Sequence, residues 1–111
     1  MNVEKRSPEE TKKIIDEIAA VIKPIFAKYN VHKLGLFGAY ALGLQSEISN
    51  VDIWCERGDV TNFNALMSVE KEVKEALGKP VNIQFSDADL SPYYLQDITA
   101  TFVDLTDEEY K

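Results

Sequence analysis

Apolar residues at Ile14, Ile15, Ile18, Val21, Ile22, Ile25, Phe26 and Tyr29 recur with the spacing of one helix face. Just ahead of them, Ser7-Pro8-Glu9-Glu10 is a helix start: Ser7 caps, Pro8 suits the first helical position and Glu10 completes a capping box. The pattern predicts an amphipathic helix from about Pro8 to Tyr29, with Lys12, Lys13, Glu17 and Lys28 toward solvent. Pro24 is expected to kink it or mark a restart, because proline removes one ladder donor. After the turn Asn30-Val31-His32 the periodicity changes. Lys33 to Phe37 is a short apolar run ending at Gly38 and reads as a first strand. Ala39 to Leu42 reads as a brief helical turn stopped by Gly43, and Leu44 to Asn50 as a polar loop.

Val51 to Glu56 alternates as a second strand, with Val51, Ile53 and Cys55 on one face and Asp52, Trp54 and Glu56 on the other. Asn50 shares the parity of Asp52. A helix follows from about Phe63 to Leu77, capped by Thr61 or Asn62, closed by Gly78 and barred from continuing by Pro80. Val81 to Phe85 is a third strand, with Asn82 and Gln84 on one face. The carboxylates of the Asp87 to Ser91 loop are expected to favour the N-terminus of a short helix near Pro92 to Asp97. Thr101 to Leu105 reads as a fourth strand and Thr106 to Lys111 as an acidic tail. This alternation predicts an α/β (α+β) fold, a mixed central sheet of about four strands with helices packed on it. The connection between the first two strands is long for a simple hairpin.

Composition narrows the function classes. At 111 residues the chain is expected to form a single domain, residues 1–111. With 19 acidic against 12 basic residues the net charge is −7, and no Lys/Arg cluster is interleaved with aromatics, which argues against a nucleic-acid partner. No apolar run is long enough to span a membrane, and the N-terminus lacks the apolar core of a secretory leader. Cys55 is the only cysteine, so a cytoplasmic, reducing setting is expected, with a buried inert thiol. His32 reads as a bystander in its turn, and the Arg57-Gly58-Asp59 string as a turn without adhesive meaning.

The chemistry concentrates in Leu34 to Glu56, where a glycine turn leaves one strand and an acid stands on the next. Phe37-Gly38-Ala39-Tyr40-Ala41-Leu42-Gly43, followed by Asn50-Val51-Asp52-Ile53, resembles the minimal nucleotidyltransferases of the DNA polymerase beta superfamily. The resemblance extends to the preceding proline-containing helix, to Pro80-Val81-Asn82-Ile83 and to the C-terminal helix and strand. It implies the nucleotidyltransferase fold. In that family the glycine turn and its serine hold nucleotide phosphates, and three carboxylates bind two Mg²⁺ ions that activate a hydroxyl and stabilise pyrophosphate.

Carried over position by position, the family's serine falls on Ala39, its basic residue on Leu42, its first carboxylate on Asn50 and its third on Asn82. Asp52 alone remains of the catalytic and metal-binding set, and Gly38 and Ala39 form a degenerate nucleotide-binding turn. Glu56 lies too far along its strand to substitute. At ~4 Å and an effective dielectric of about 20, each lost unit charge removes roughly 8 kcal/mol of attraction to a divalent ion before solvation offsets. The expectation is a pseudoenzyme, natural or deliberately disabled and stabilised, that needs no cofactor. The resemblance further implies a helical protein partner, a HEPN-type toxin for which such chains act as antitoxin. Two alternatives stand beside it. One is a Mg²⁺-dependent nucleotidyltransferase moving a nucleoside monophosphate from a nucleotide triphosphate to a hydroxyl. The other is nucleotide binding without transfer.

Overall fold

A computed structural model describes residues 4–111; residues 1–3, which enter only the reading of the N-terminus as lacking an apolar leader core, lie outside the described residues. The elements in chain order are α1 (Pro8–Ala27), β1 (Leu34–Phe37), α2 (Gly38–Leu42), β2 (Val51–Cys55), α3 (Phe63–Leu77), β3 (Val81–Phe85), α4 (Pro92–Thr101), β4 (Val103–Asp104) and a closing 3₁₀ turn at Glu108–Tyr110. The four strands form one mixed sheet in the order β3-β2-β1-β4. β1 runs antiparallel to β2 and to β4, and β2 runs parallel to β3 through the α3 crossover.

Local signals set most of these boundaries. The Ser7 hydroxyl accepts from the Glu10 N–H at 3.2 Å and Asn62 Oδ1 accepts from the Ala65 N–H at 2.8 Å, each satisfying a donor that a helix start leaves open. Gly78 ends α3 in the left-handed region at φ 66°. α1 ends at Ala27, short of the expected Tyr29, and runs through Pro24 without a restart.

Ile15, Ile18, Ile22, Ile25 and Phe26 of α1 and Val69 and Val73 of α3 bury against Leu36, Val51, Ile53 and Cys55 on one sheet face. A side chain enclosed as fully as Phe26 or Ile53 contributes about 1.5–3 kcal/mol relative to exposure. The opposite face carries α4. Phe102, just after that helix, lies over Gly35, where a Cβ would come within 2.4 Å of its ring. Phe37 meets Tyr94 edge-on at 6.2 Å.

Three expectations need correction at the C-terminal end. α4 runs on to Thr101, so β4 shrinks to Val103–Asp104 where a strand from Thr101 to Leu105 was expected. The Thr101 hydroxyl donates to the Asp97 carbonyl at 3.0 Å, closing onto the last turn of the helix. No acid sits in the first turn of α4. Ser91 caps it, accepting from the Tyr94 N–H at 3.2 Å, while Asp87 takes two bonds from the Arg57 guanidinium at 2.9 and 3.0 Å. The acidic tail, as expected from Thr106 to Lys111, docks on the fold. Asp107 pairs with Lys23, and Tyr110 stacks on His32 with centroids 4.1 Å apart.

Candidate functional site

The candidate site lies on the α4 face, at the ends of β1 and β2. Gly38 leaves β1 at φ 73°, a conformation that favours glycine, and space dictates the same residue. A Cβ there would lie 2.5 Å from Asp52 Oδ2, so the turn backbone packs directly against the carboxylate. The Gly38 N–H donates to Thr101 Oγ1 at 2.8 Å, tying the turn to the end of α4. Ala39 is half-buried and brings no hydroxyl. Tyr40 is buried behind the turn, and burial pushes its phenol up, with Arg6 partly opposing.

Strand register delivers the rest. Asp52 stands opposite Phe37 on β1 and beside Asn82 on β3. A carboxylate only accepts, so the Asn82 amide nitrogen faces it, donating to Asp52 Oδ1 at 3.2 Å. The same amide reaches the Tyr94 hydroxyl at 3.4 Å. Burial raises the Asp52 carboxyl above its ordinary range, and the Asn82 hydrogen bond partly offsets that.

The structure therefore brings Gly38, Asp52 and Asn82 together and adds Tyr94. Nothing local in Pro92 to Asp97 signals that Tyr94 crosses to Asn82, because the contact depends on how α4 docks. Asn50 is not brought in. It precedes β2, is exposed, and makes no hydrogen bond to Asp52. Leu42 and Leu44 flank the turn at 37% and 39% exposure, apolar side chains left in solvent. Glu56 turns to Lys33 at 3.8 Å. Cys55 is sealed in the core with its thiol pushed up to about 12.

Trp54 and Gln84, cross-strand neighbours, continue the same sheet face beyond Asp52 and Asn82. Trp54 with Leu95, Ile98, Thr99 and Phe102 lines a shallow hollow of about 230 Å³. A cleft of about 480 Å³ opens elsewhere, between the start of α1, α2 and β4, and includes neither Asp52 nor Asn82. Among the described residues no group of three or more His, Cys, Asp or Glu side chains is placed to hold a metal ion. No helix among them is long and apolar enough to cross a membrane.

No family model matches the chain. Similarity to individual proteins is clear. The chain is 38% identical over 69 residues to the Methanocaldococcus jannaschii protein called "Putative protein adenylyltransferase MJ0435", a match covering 62% of this chain and 74% of that one. A second protein of that organism with the same description, MJ0128, is 29% identical over 90 residues, 78% of this chain and 92% of the relative. Among solved structures, a chain of a toxin–antitoxin complex with AMP-PNP superimposes with a TM-score of 0.68 at 19% identity, over 83% of this chain and 76% of that chain. A chain from the complex of a tri-AMPylated Shewanella oneidensis HEPN toxin with its MNT antitoxin gives 0.64 at 15% identity, over 86% and 74%. The structural matches establish the nucleotidyltransferase fold, and the sequence match covers most of a relative at an identity that chance does not give. The chain belongs to the minimal nucleotidyltransferase family.

Proposed function

We propose that this protein is a non-catalytic member of its family, a binding module of the antitoxin type whose partner is a helical HEPN-class toxin. One observation carries the non-catalytic half. At the position of the family's third carboxylate, Asn82 donates a hydrogen bond into Asp52. A metal centre needs hard anionic oxygens converging on one point. Here one carboxylate is already met by an N–H donor, and the Tyr94 hydroxyl shares that donor. Asn50 stands apart and exposed, and Ala39 offers no hydroxyl. These residues do not fit a two-Mg²⁺ centre, so no reaction step is derived through one, and no cofactor is assigned. The substitutions suit a fold freed from catalysis, since clustered carboxylates without metal repel and lower stability. A natural pseudoenzyme and a disabled version of an active parent share this arrangement.

The partner half is supported by the fold's structural neighbours, antitoxins bound to HEPN toxins. Within this reading the chain is one domain and works in the cytoplasm, in keeping with its single buried thiol.

A second reading is a Mg²⁺-dependent nucleotidyltransferase that uses Asp52 as its surviving ligand. It is favoured by the names of the relatives and by the neighbour that carries AMP-PNP. Nucleotide held at Gly38 and Ala39 without transfer is its weaker form. Calorimetric titration with ATP, with and without Mg²⁺, separates them. The non-catalytic reading expects no metal-dependent heat. Tight binding that requires Mg²⁺ would favour the enzyme.

A further inference from the structure

The cleft of about 480 Å³ lies between the start of α1, α2 and β4. Its lining is mostly apolar, with Pro8 and Ile15 from α1, Leu42 from α2, Val103 from β4 and Leu105 just beyond it. Local bonds fix these walls. The Arg6 N–H donates to the Gly43 carbonyl at 2.9 Å and Arg6 Nη1 donates to the Gln45 carbonyl at 2.9 Å, so the residues ahead of α1 are fastened to the end of α2. α2 in turn packs so closely on α1 that a Cβ at Gly43 would come within 2.3 Å of Thr11 Oγ1. The Leu105 N–H donates to the Leu34 carbonyl at 2.9 Å and holds the third wall to β1. A hollow with fixed walls needs little ordering when a ligand enters.

Charge sets the cleft apart from the rest of the chain. The net charge is −7 overall, yet the two carboxylates that line the cleft are matched within the chain. Asp16 pairs with Lys12 at 2.8 Å and Asp104 with Lys111 at 3.4 Å. Lys5 and Arg6 also line it, and neither has an ion pair among the described residues. Arg6 uses one guanidinium N–H on Gln45, and its other side-chain donors have no hydrogen-bond partner among those residues.

We infer that this cleft binds a small amphipathic anion, a carboxylate or phosphate head on an aliphatic body. Its volume falls within the range of small-ligand sites, about 300–1,000 Å³. The apolar walls take the body. Arg6, with Lys5 next to it in the chain, meets the head, since a guanidinium pairs with carboxylate and phosphate alike through parallel N–H donors. None of Asp52, Asn82 and Tyr94 lines the cleft, so the inference goes beyond the functional reading above and does not depend on it.

Titration of the full chain with decanoate, decyl phosphate and decyltrimethylammonium, followed by calorimetry and amide chemical shifts, tests it. Non-specific association with a chain of net charge −7 favours the cation, so selectivity for the anions runs against the overall charge. The better-fitting anion should bind at least about tenfold tighter than the cation, with the largest shifts at Arg6, Ala41, Leu42, Val103 and Leu105. Comparing the two anions at equal chain length tells a carboxylate ligand from a phosphate one. Arg6→Gln should weaken the tighter anion by about tenfold, with circular dichroism confirming the fold. Should that variant not fold, Lys5→Glu, at an exposed position, should weaken the anion at least about threefold and leave the cation no weaker. Anions that bind no tighter than the cation, shifts centred on Trp54 and Leu95 instead, or affinities that neither variant lowers would overturn the inference. So would shifts at the cleft residues with an acidic peptide but with neither anion. Self-association, seen by sedimentation, that buries these residues and shuts the anions out would give the cleft to a second copy and overturn it as well.

Discussion

On the face of the sheet beneath α1 and α3, Leu36, Val51, Ile53 and Cys55 are sealed from solvent, whereas on the α4 face Asp52, Trp54, Asn82 and Gln84 are each only half-buried. Along β2, Val51, Ile53 and Cys55 of the first set alternate with Asp52 and Trp54 of the second, one residue apart, and differ only in parity. The sealed face is apolar, and its packing holds the fold. The other face keeps one carboxylate, two amides and an indole where an apolar layer would be more stable, and it is where the family resemblance places chemistry. The fold's stability and the site's character are thus separable by parity, and substitutions can test that separation.

The largest effect is expected on the sealed face. Ile53→Ala should lower unfolding free energy by about 2–5 kcal/mol, because neighbours pinned by α1 and α3 cannot close the cavity. Denaturant titration measures it. A loss below about 1 kcal/mol would mean that this face is far less rigid than its burial implies. Next comes the glycine turn. Gly38→Ala meets both a left-handed backbone and the Asp52 carboxylate, and should lose about 1–3 kcal/mol. Gly78→Ala, at a similar φ with nothing within 4 Å, supplies the backbone part alone. The difference between the two melts isolates the approach of the turn to Asp52, and equal losses would deny it. A smaller effect belongs to the caps: Asn62→Ala should lose about 0.5–2 kcal/mol by the same titration.

The smallest and most specific effect concerns Asp52 itself. Burial holds its carboxyl above the ordinary range, so the folded chain keeps that proton more readily than the unfolded chain does. The sign follows by linkage. Its ionisation does not oppose folding below the unfolded carboxylate range, near ~3.9, and opposes it fully once pH exceeds the raised folded value. Asp52→Asn should therefore be slightly more stable than the parent at neutral pH and lose that part of the pH slope, read from melts across the acidic range. A less stable variant at neutral pH would show that the negative charge has a favourable partner.

Much of this was legible in the sequence, and the limits have physical causes. α3 and β3 match their expected spans because Asn62, Gly78 and Pro80 punctuate them locally. The shared face of Asp52 and Asn82 follows from strand parity together with the family resemblance. The extent of β4 was misread because Thr101, Phe102 and Val103 have strand-like chemistry, while the Thr101 hydroxyl is taken up by the last turn of α4 and by Gly38. Tyr94 was invisible for a different reason. Its hydroxyl meets Asn82 only after α4 folds across the sheet, a tertiary event with no periodic trace. Asn50 shares Asp52's parity in sequence, but β2 starts at Val51, so parity gives it no fixed place in the sheet.

The separation of a stable apolar face from a site face without its metal chemistry is tested most directly by thermal melts of the parent and the Asn50→Asp/Asn82→Asp double variant, each with and without Mg²⁺. The parent should melt at the same temperature in both conditions. The double variant should melt lower without Mg²⁺, as carboxylates replace the Asn82 donor, and recover when the ion is added. A parent stabilised by Mg²⁺ as strongly as the double variant would contradict the reading of Asp52 and Asn82 as a site that no longer binds metal.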